Sequence, residues 1–391
     1  MSVKLKRCSS CLLPETYETI EFDDKGVCNI CSSAMHKKNK IDWEARKIML
    51  DQLIEKYRGK GDYDCLIPFS GGKDSTFQLL YLIKEYDIKP LVVRFNHGFM
   101  RDVIYENNTR TFKKLGVDVI DFTPSWKIVK KVMLESFKRK TDFCWHCHTG
   151  IYSYPMQVAV KYNIPLVFWG EPQAELTAYY DYENDEIEYE DEKKFNMIRN
   201  LGMSADDMFG MINSAEDPID RRDLMPFTYP KLKDLKSIGY SSVCLGSFIP
   251  WDYVKNTGWI KKELGWETDQ LEGVPDEVNS TCEKIECFMQ GTRDYIKFIK
   301  RGYSRITQIN AIKRRSNIIS IADAETLNSL DGRRPESLDV FLGYIGLSEQ
   351  EFIEIVTGTA VAPYVHDFSE EVKAEKVWDT HKWFREDNRK V

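Results

Sequence analysis

Residues 70–75, Ser-Gly-Gly-Lys-Asp-Ser, combine residue types that are suited to holding a phosphate group. Gly71 and Gly72 let the backbone approach a phosphate closely and present successive amide groups to it. Lys73 can reach a phosphate oxygen, and Asp74 can help to hold Mg²⁺ on the phosphates. The segment is not a Walker A loop, because Asp74 stands where that pattern has Ser or Thr. The predicted phosphate-binding residues are Ser70, Gly71, Gly72, Lys73, Asp74 and Ser75.

The elements predicted around this segment put it at the end of a buried strand. Residues 63–69 (YDCLIPF) form an apolar run typical of such a strand, and a helix is predicted over residues 75–86. A helix that begins directly after the loop adds its dipole to the attraction for phosphate. An ordinary glycine turn is the alternative interpretation, which the placement between strand and helix disfavours.

Short apolar strands alternate with amphipathic helices through the middle of the chain. The predicted strands are residues 63–69, 90–95, 117–122, 164–170 and 241–251, and the predicted helices are residues 42–57, 75–86, 103–115, 125–138 and 149–161. This alternation predicts an α/β fold with a doubly wound, Rossmann-like parallel sheet covered by helices on both faces. The acidic segment 179–195 interrupts the pattern and is interpreted as a surface insertion.

Four cysteines near the N-terminus have the spacing of a zinc site, C-x2-C-x16-C-x2-C. They are Cys8, Cys11, Cys28 and Cys31. Two such pairs close a tetrahedral site with no open position, which is typical of structural rather than catalytic zinc. The segments YETIEF and GVC are predicted as short strands with a turn at residues 24–26. We therefore predict a zinc-ribbon-like module over residues 1–40, followed by an α/β domain over residues 41–275.

The region from residue 276 to residue 391 is predicted to form a mostly helical C-terminal domain. A helix is predicted over residues 283–302, with Gly302 as its C-cap. Further short helices are predicted over residues 320–330, 337–346 and 348–358.

Composition and charge narrow the class of protein. The chain has 391 residues and a formal net charge of −7, from 55 basic and 62 acidic side chains, which argues against nucleic acid as a partner. No apolar stretch approaches the ~20 residues that span a bilayer, and the first residues lack the apolar core of a signal peptide. We expect a cytoplasmic protein without membrane contact, whose ten cysteines serve metal or thiol chemistry rather than disulfides.

A second cysteine pair, Cys144 and Cys147, lies in the segment DFCWHCHTG. Two thiolates rarely complete a metal shell, so the pair is half of a site. The candidate partners are His146, His148, Cys244, Cys282 and Cys287. Cys287 is preferred, with zinc as the first expectation and an iron–sulfur group as the second. The alternative is a pair of buried thiols that pack at the start of a helix.

The segment SGGKDS resembles the signature of the PP-loop ATP pyrophosphatases, also called N-type ATPases, which have a HUP-like fold. The resemblance implies that ATP is cleaved between its α- and β-phosphates. The loop would hold the departing pyrophosphate while AMP is transferred to an oxygen of the acceptor. In this family the end of the second strand meets the adenosine, which implies contacts from Arg94, Phe95 and Asn96.

A longer set of segments resembles the N-acetyl sugar amidotransferases of O-antigen and pseudaminic acid pathways. In order, they are the N-terminal CxxC pair, SGGKDS, FCWHCHTGIYS, GEP, FIPWD, KIEC and YIKFIKRGYSR, which together span nearly the whole chain. The resemblance implies adenylation of the acetamido carbonyl of an N-acetylated sugar, either a nucleotide-linked uronic acid or a nonulosonic acid. Ammonia then replaces the oxygen, which gives an acetamidino sugar, AMP and pyrophosphate.

The same resemblance implies partners and further site residues. Ammonia would come from a separate glutaminase that resembles the one in histidine biosynthesis, with a cyclase-like subunit as a further candidate partner. Glu171 would orient ammonia or take a proton beside the catalytic Lys73 and Asp74, and its alternative is an exposed loop acid. The weaker substrate candidates are Trp251 and Asp252 for the sugar pocket and Arg301 and Arg305, one helical turn apart, for a pyrophosphate or carboxylate. For these, a core tryptophan and a solvated helix face are the alternatives.

Two other functions remain open at this point. A tRNA thiolase of the same fold would use the second cysteine pair, although a sequence pI of about 5.6 disfavours an RNA-binding surface. A zinc-ribbon binding module beside a degenerate nucleotide sensor is the non-enzymatic alternative, and the intact SGGKDS segment argues against it.

Overall fold

One parallel sheet forms the centre of the computed structural model, which describes residues 4–170, 187, 189–278 and 283–375. Its strands are β1 (Cys65–Pro68), β2 (Pro90–Phe95), β3 (Asp118–Phe122), β4 (Leu166–Trp169) and β5 (Ser241–Cys244). They lie in the order β3-β2-β1-β4-β5, and every neighbouring pair is parallel. Each of the five strands lies within a predicted strand segment, and the expected α/β class is confirmed.

Successive residues of the central strands are buried on opposite faces of the sheet. Leu66 of β1 belongs to a hydrophobic core with Val93 and Val167, whereas the next residue, Ile67, belongs to a different core with Val92. A strand buried on both faces must be apolar at every position, which is why these strands are continuous apolar runs. Helices therefore cover both faces of the sheet, as the sequence predicted.

Helices lie before and between the strands, and after β5 the regular elements are all helical. Up to β4 they are α1 (Asn29–Lys40), α2 (Trp43–Tyr57), α3 (Lys73–Tyr86), α4 (Asp102–Leu115), α5 (Trp126–Lys140) and α6 (Trp145–Lys161). After β4 they are α7 (Glu192–Lys194), α8 (Ala205–Ile212), α9 (Leu232–Ser237), α10 (Tyr253–Leu264), α11 (Gln290–Arg301), α12 (Arg305–Arg315), α13 (Ile321–Asn328), α14 (Ser337–Ile345) and α15 (Glu349–Thr357). None of the helices within the described residues is long and apolar enough to cross a membrane.

The prediction for residues 283–302 is wrong in its first third, because α11 begins only at Gln290. The preceding residues run beside the segment that follows β2. Met100 and Cys287 form an antiparallel bridge, and the amide of Phe288 donates a hydrogen bond of 3.0 Å to the carbonyl of Phe99. This pairing joins the helical C-terminal part of the chain to the carboxyl edge of the sheet.

The strands predicted near the N-terminus are not formed. Phe22 and Cys28 make only a single antiparallel bridge. The turn between them is present, because the amide of Gly26 donates to the carbonyl of Asp23 at 2.9 Å and Gly26 has a φ of +75°. Helix α1 then begins directly after Cys28, so a knuckle followed by a helix replaces the expected ribbon of strands.

Candidate functional site

The four N-terminal cysteines form a buried cluster. The sulfur atoms of Cys8 and Cys31 are 4.0 Å apart, those of Cys11 and Cys28 are 3.7 Å apart, and all four lie within 4.8 Å of one another. Zinc–sulfur bonds of ~2.3 Å in a tetrahedron require about 3.8 Å between sulfurs. The amide of Cys28 also donates to the sulfur of Cys8 at 3.2 Å, which favours a thiolate. The cluster is thus geometrically suited to bind a metal ion such as zinc.

Contacts from the C-terminal helices hold this cysteine module. Arg301 donates to the carbonyl of Thr16 at 2.5 Å and pairs with Glu18 at 3.3 Å. Arg314 donates to the carbonyl of Ser10 at 3.3 Å. A metal bound by the four cysteines would therefore stabilise the junction between the N-terminal segment and helices α11 and α12.

The expectation that Arg301 and Arg305 share a helix face is wrong. Arg301 is the last residue of α11 and Arg305 is the first residue of α12, because Gly302 ends α11 with a φ of +70°. The side chain of Arg305 is 14% exposed and pairs with Asp294 at 2.7 Å. Both arginines thus bind protein groups in this structure.

The SGGKDS segment lies at the carboxyl end of β1, the middle strand of the sheet, and leads into α3. Gly72 caps this helix, which begins at Lys73, two residues earlier than predicted. The amides of Ser70 and Gly71 donate to the hydroxyl oxygen of Ser75 at 3.3 and 3.2 Å. Amides in the first turn of a helix have no partner within that helix, so they remain open to an anion.

Side chains from distant parts of the chain approach both glycines of the loop closely. A Cβ atom on Gly71, whose φ is +87°, would overlap Oδ1 of Asn108. A Cβ atom on Gly72 would overlap Oε1 of Glu286. The indole of Trp266 also donates to the carbonyl of Gly71 at 3.2 Å. Sequence reasoning missed these three neighbours, which are distant along the chain from the loop.

Lys73 and Asp74 form an ion pair of 2.5 Å, and the Lys73 side chain is only 6% exposed. The Lys73 ammonium lies 4.6 Å from the ring centre of Tyr253. The indole of Trp251 donates to Oδ1 of Asp74 at 3.3 Å. The loop's two charged side chains are therefore held by the aromatic segment at 251–253.

The two residues predicted to line a sugar pocket have different surroundings. Trp251 is buried, and its ring meets Phe77 edge-on with the ring centres 5.0 Å apart. Asp252 caps α10 by accepting hydrogen bonds from the amides of Val254 and Lys255 at 3.0 and 3.1 Å. Trp251 thus contacts the loop, whereas Asp252 has a structural role at the start of a helix.

The residues predicted to meet adenosine lie at the end of β2. Arg94 is buried and pairs with Asp121 at 3.2 Å. Phe95 is also buried, within a hydrophobic core, whereas Asn96 is partly buried and accepts a hydrogen bond from the amide of Gly98 at 3.0 Å. Among Arg94, Phe95 and Asn96, only Asn96 has a partly exposed side chain at the carboxyl edge of the sheet.

The predicted catalytic Glu171 lies outside the described residues, as does Cys282. The residue before Glu171, Gly170, follows β4 at the same edge of the sheet as the loop. Its carbonyl accepts hydrogen bonds from the Cys244 thiol and the Gly246 amide, both at 3.2 Å.

Within the described residues, which leave out Cys282, the second cysteine group is not a preassembled metal site. Among the described residues, the N-terminal cluster is the only set of three or more such ligand groups whose atoms all lie within 4.8 Å. Burial raises the pKa of Cys147 well above its ordinary value, and the charge of Cys287 raises it further. Cys144, the N-cap of α6, donates its amide to Asp142 at 2.7 Å. A metal held by Cys144, Cys147 and Cys287 stays a prediction.

One cation on α11, Arg293, lies beside these cysteines. Burial lowers the pKa of Arg293, but the charges of Cys144 and Asp142 outweigh it and raise that pKa. Burial lowers the pKa of Lys297, which lies four residues along the same helix. No hydrogen bond or ion pair of the Arg293 guanidinium is found within the described residues. Sequence reasoning preferred Arg301 and Arg305, because it did not expect a second helix to begin just after Gly302, which it had correctly predicted as the C-cap of α11.

Comparison with known proteins leaves the family open. No protein-family model matches the chain. A stretch of 147 residues is 26% identical to an uncharacterized protein of Methanocaldococcus jannaschii. The match covers 36% of this chain and 50% of that protein, so the chain spans about half the length of the curated relative it matches.

Proposed function

We propose that this protein is an ATP-dependent, AMP-forming amidotransferase that converts the acetamido group of an acidic N-acetylated sugar into an acetamidino group. The observation that carries the proposal is the position of the SGGKDS loop. It follows β1, where the strand order reverses between β1 and β4. Open parallel sheets bind ligands at such a switch point, outside the carboxyl ends of the strands.

The proposed reaction has two steps. The acetamido carbonyl oxygen attacks the α-phosphorus of ATP, and the bond to the bridging oxygen breaks to release pyrophosphate. Ammonia then attacks the activated carbon, and AMP leaves with the former carbonyl oxygen while a proton is lost. Activation is needed because the nitrogen lone pair of an amide quenches its electrophilic carbon.

The chain's own groups suit the first step. The open amides at the start of α3 and the hydroxyls of Ser70 and Ser75 would hold the departing pyrophosphate. Lys73 would supply positive charge as the negative charge on the pyrophosphate develops. Asp74, which accepts from Trp251, has the carboxylate oxygens that suit Mg²⁺, and that ion would neutralise phosphate charge.

The cations on α11 support an acidic acceptor. Arg293 and Lys297 are half-buried on the same side of the helix, four residues apart. A guanidinium can bind the carboxylate or the phosphate of a sugar acid through paired hydrogen bonds. A nucleotide-linked uronic acid and a nonulosonic acid both carry such groups. Ammonia would come from a separate glutaminase, with a cyclase-like subunit as a further candidate partner.

An oxygen-tracing experiment tests this proposal. The acceptor is prepared with oxygen-18 in its acetamido carbonyl and incubated with the protein, ATP, Mg²⁺ and ammonium. The proposal predicts that the label appears in AMP, because AMP leaves with that oxygen. Unlabelled AMP, or the formation of ADP, would refute the proposed reaction. The variant Asp74→Asn serves as the negative control.

A tRNA thiolase remains the second candidate function. It is favoured by the electrostatic contact between Cys147 and Cys287, which belong to distant parts of the chain. The net charge of −7 opposes it, because RNA binding needs a basic surface. Co-purified tRNA, a brown iron–sulfur colour or sulfur transfer to tRNA would favour the thiolase.

A further inference from the structure

Glu286 brings a carboxylate from the C-terminal part of the chain to the SGGKDS loop. Its Oε1 lies where a Cβ atom on Gly72 would be, so the carboxylate packs directly on the backbone of the loop. Gly72 is the cap of α3, the helix whose open amides face the predicted phosphates. The KIEC segment was singled out in the sequence for Cys287, and its glutamate had no role there.

The backbone around Glu286 is fixed on both sides. Its carbonyl accepts a hydrogen bond from the amide of Arg101 at 3.3 Å, and the next residue, Cys287, forms a bridge with Met100. Ile285 and Phe288 are fully buried in the hydrophobic cores. The fold therefore fixes the backbone of Glu286 at a position from which its side chain reaches the loop.

The carboxylate of Glu286 has no hydrogen-bond or ion-pair partner in the part of the chain that the structure describes. Lys73 forms its ion pair with Asp74, and Arg101 forms its ion pair with Asp269 at 3.2 Å. Burial lowers the pKa of Arg101, and the charge of Glu286 is among those that raise it. A second side-chain oxygen without a hydrogen-bond partner in the described residues lies beside Gly71.

That second oxygen is Oδ1 of Asn108, which lies against Gly71 and also lacks a hydrogen-bond partner among the described residues. The Asn108 side chain is only 2% exposed. A buried polar oxygen without a partner is costly, and native structures usually supply a ligand, a water or an ion. Within the part of the chain that the structure describes, one buried and one partly buried oxygen without a hydrogen-bond partner therefore lie beside the two glycines of the loop.

We infer that Glu286 is a ligand of the divalent cation that accompanies the ATP phosphates, with Asn108 as a supporting oxygen beside it. The inference rests on the proposed function, because it assumes that phosphates bind at residues 70–75. A carboxylate and a phosphate at the same helix end repel each other unless a cation lies between them. Oxygen ligands from carboxylates and amides are the kind that Mg²⁺ and Mn²⁺ prefer.

The test measures metal and nucleotide binding as well as turnover. Glu286→Gln keeps the shape of the side chain and removes its charge, and Glu286→Asp keeps the charge on a shorter side chain. Glu325→Gln, at an exposed position of α13, is the matched control. The affinity for Mn²⁺ is measured by electron paramagnetic resonance with the non-hydrolysable α,β-methylene analogue of ATP. The Mg²⁺ concentration at half-maximal pyrophosphate release is measured in parallel.

We expect Glu286→Gln to weaken Mn²⁺ binding and to raise the half-maximal Mg²⁺ concentration, each by roughly tenfold or more. Glu286→Asp should recover part of the loss, and Glu325→Gln should match the wild type. Unchanged metal dependence in Glu286→Gln would overturn the inference alone. Tighter nucleotide binding in Glu286→Gln at low Mg²⁺ would also overturn it, because the carboxylate would then merely obstruct the loop. A wild type that binds neither the analogue nor Mn²⁺ would overturn the proposed function as well.

Discussion

The indole nitrogen of Trp251 donates a hydrogen bond of 3.3 Å to the carboxylate of Asp74, which also pairs with Lys73 at 2.5 Å. Trp251 follows β5 at one edge of the sheet, whereas Asp74 lies after the middle strand. The contact fixes the orientation of the one acidic side chain in the loop. Trp251 therefore holds Asp74 in position, and the predicted contact of Trp251 with a sugar stays a prediction.

Replacement of Trp251 by Phe should slow pyrophosphate release by roughly tenfold, the effect of a lost hydrogen bond to a charged group. The aromatic contact with Phe77 would remain, so the melting temperature should change little. Trp259→Phe is the matched control, because Trp259 also meets Phe77 edge-on, with ring centres 5.9 Å apart. Equal rates in the two variants would contradict a positioning role for Trp251.

Replacement of Asp74 by Asn should abolish pyrophosphate release, because the amide is neutral and is a poor ligand for Mg²⁺. The fold and the zinc content should be unchanged. Asp87→Asn, at the other end of α3, is the control, since Asn tolerates the left-handed backbone with a φ of +50° there. Turnover that survives in Asp74→Asn would show that the loop is not the phosphate site.

Replacement of Cys28 by Ser should remove the metal of the N-terminal cluster and destabilise the chain by several kcal/mol, since structural zinc contributes directly to folding. The physical reason is that three thiolates leave the tetrahedral site incomplete. Metal content by mass spectrometry and urea unfolding would check both effects. Cys65→Ala, in the core strand β1, should lose some stability but keep the metal. Wild-type protein without bound zinc would contradict the prediction.

Lys37 should make stability depend on pH in the alkaline range. Burial lowers the pKa of Lys37 from 10.5 to about 8, against the opposing charge of Asp252. Between these two values the unfolded chain binds more protons than the folded chain, so the free energy of unfolding gains a contribution as pH rises. Below pH 8 both states are protonated, and the folded state carries the full cost of the buried charge.

Lys37→Met removes this contribution. Its stability relative to the wild type should be greatest near neutral pH and should decline as the pH rises from 8 towards 10.5. Urea unfolding of both proteins at several pH values measures the difference, with Lys56→Met at an exposed position as the control. A difference that does not vary with pH would mean that Lys37 is not desolvated in the folded chain.

The central strands were predictable because they are largely apolar runs, as for Pro90–Phe95, whose predicted and observed bounds coincide. Burial on both faces leaves that pattern in the sequence itself. The loop was predictable for a similar local reason, since the glycines, the strand before it and the helix after it are adjacent in the chain. The cluster of the four N-terminal cysteines was likewise predictable, because their spacing along the chain is typical of a metal site.

The residues around the loop could not be predicted, because they reach it through the fold. Glu286 arrives by pairing with the segment after β2, and that long-range pairing also keeps residues 285–288 out of a helix. Asn108 is an ordinary polar residue of α4 in the sequence. The error at Arg301 and Arg305 arose at Gly302. This glycine was predicted as the end of one helix, but the start of the next helix at Arg305 was not predicted.

The mass of the sugar product tests the central claim most directly. The protein is incubated with ATP, Mg²⁺, ammonium and a panel of acidic N-acetylated sugars, both nucleotide-linked uronic acids and nonulosonic acids. Amidine formation predicts an acceptor lighter by about one mass unit, because NH replaces O, with AMP formed in equal amount. No mass change with any sugar, together with sulfur incorporated into tRNA, would contradict the account and favour the thiolase.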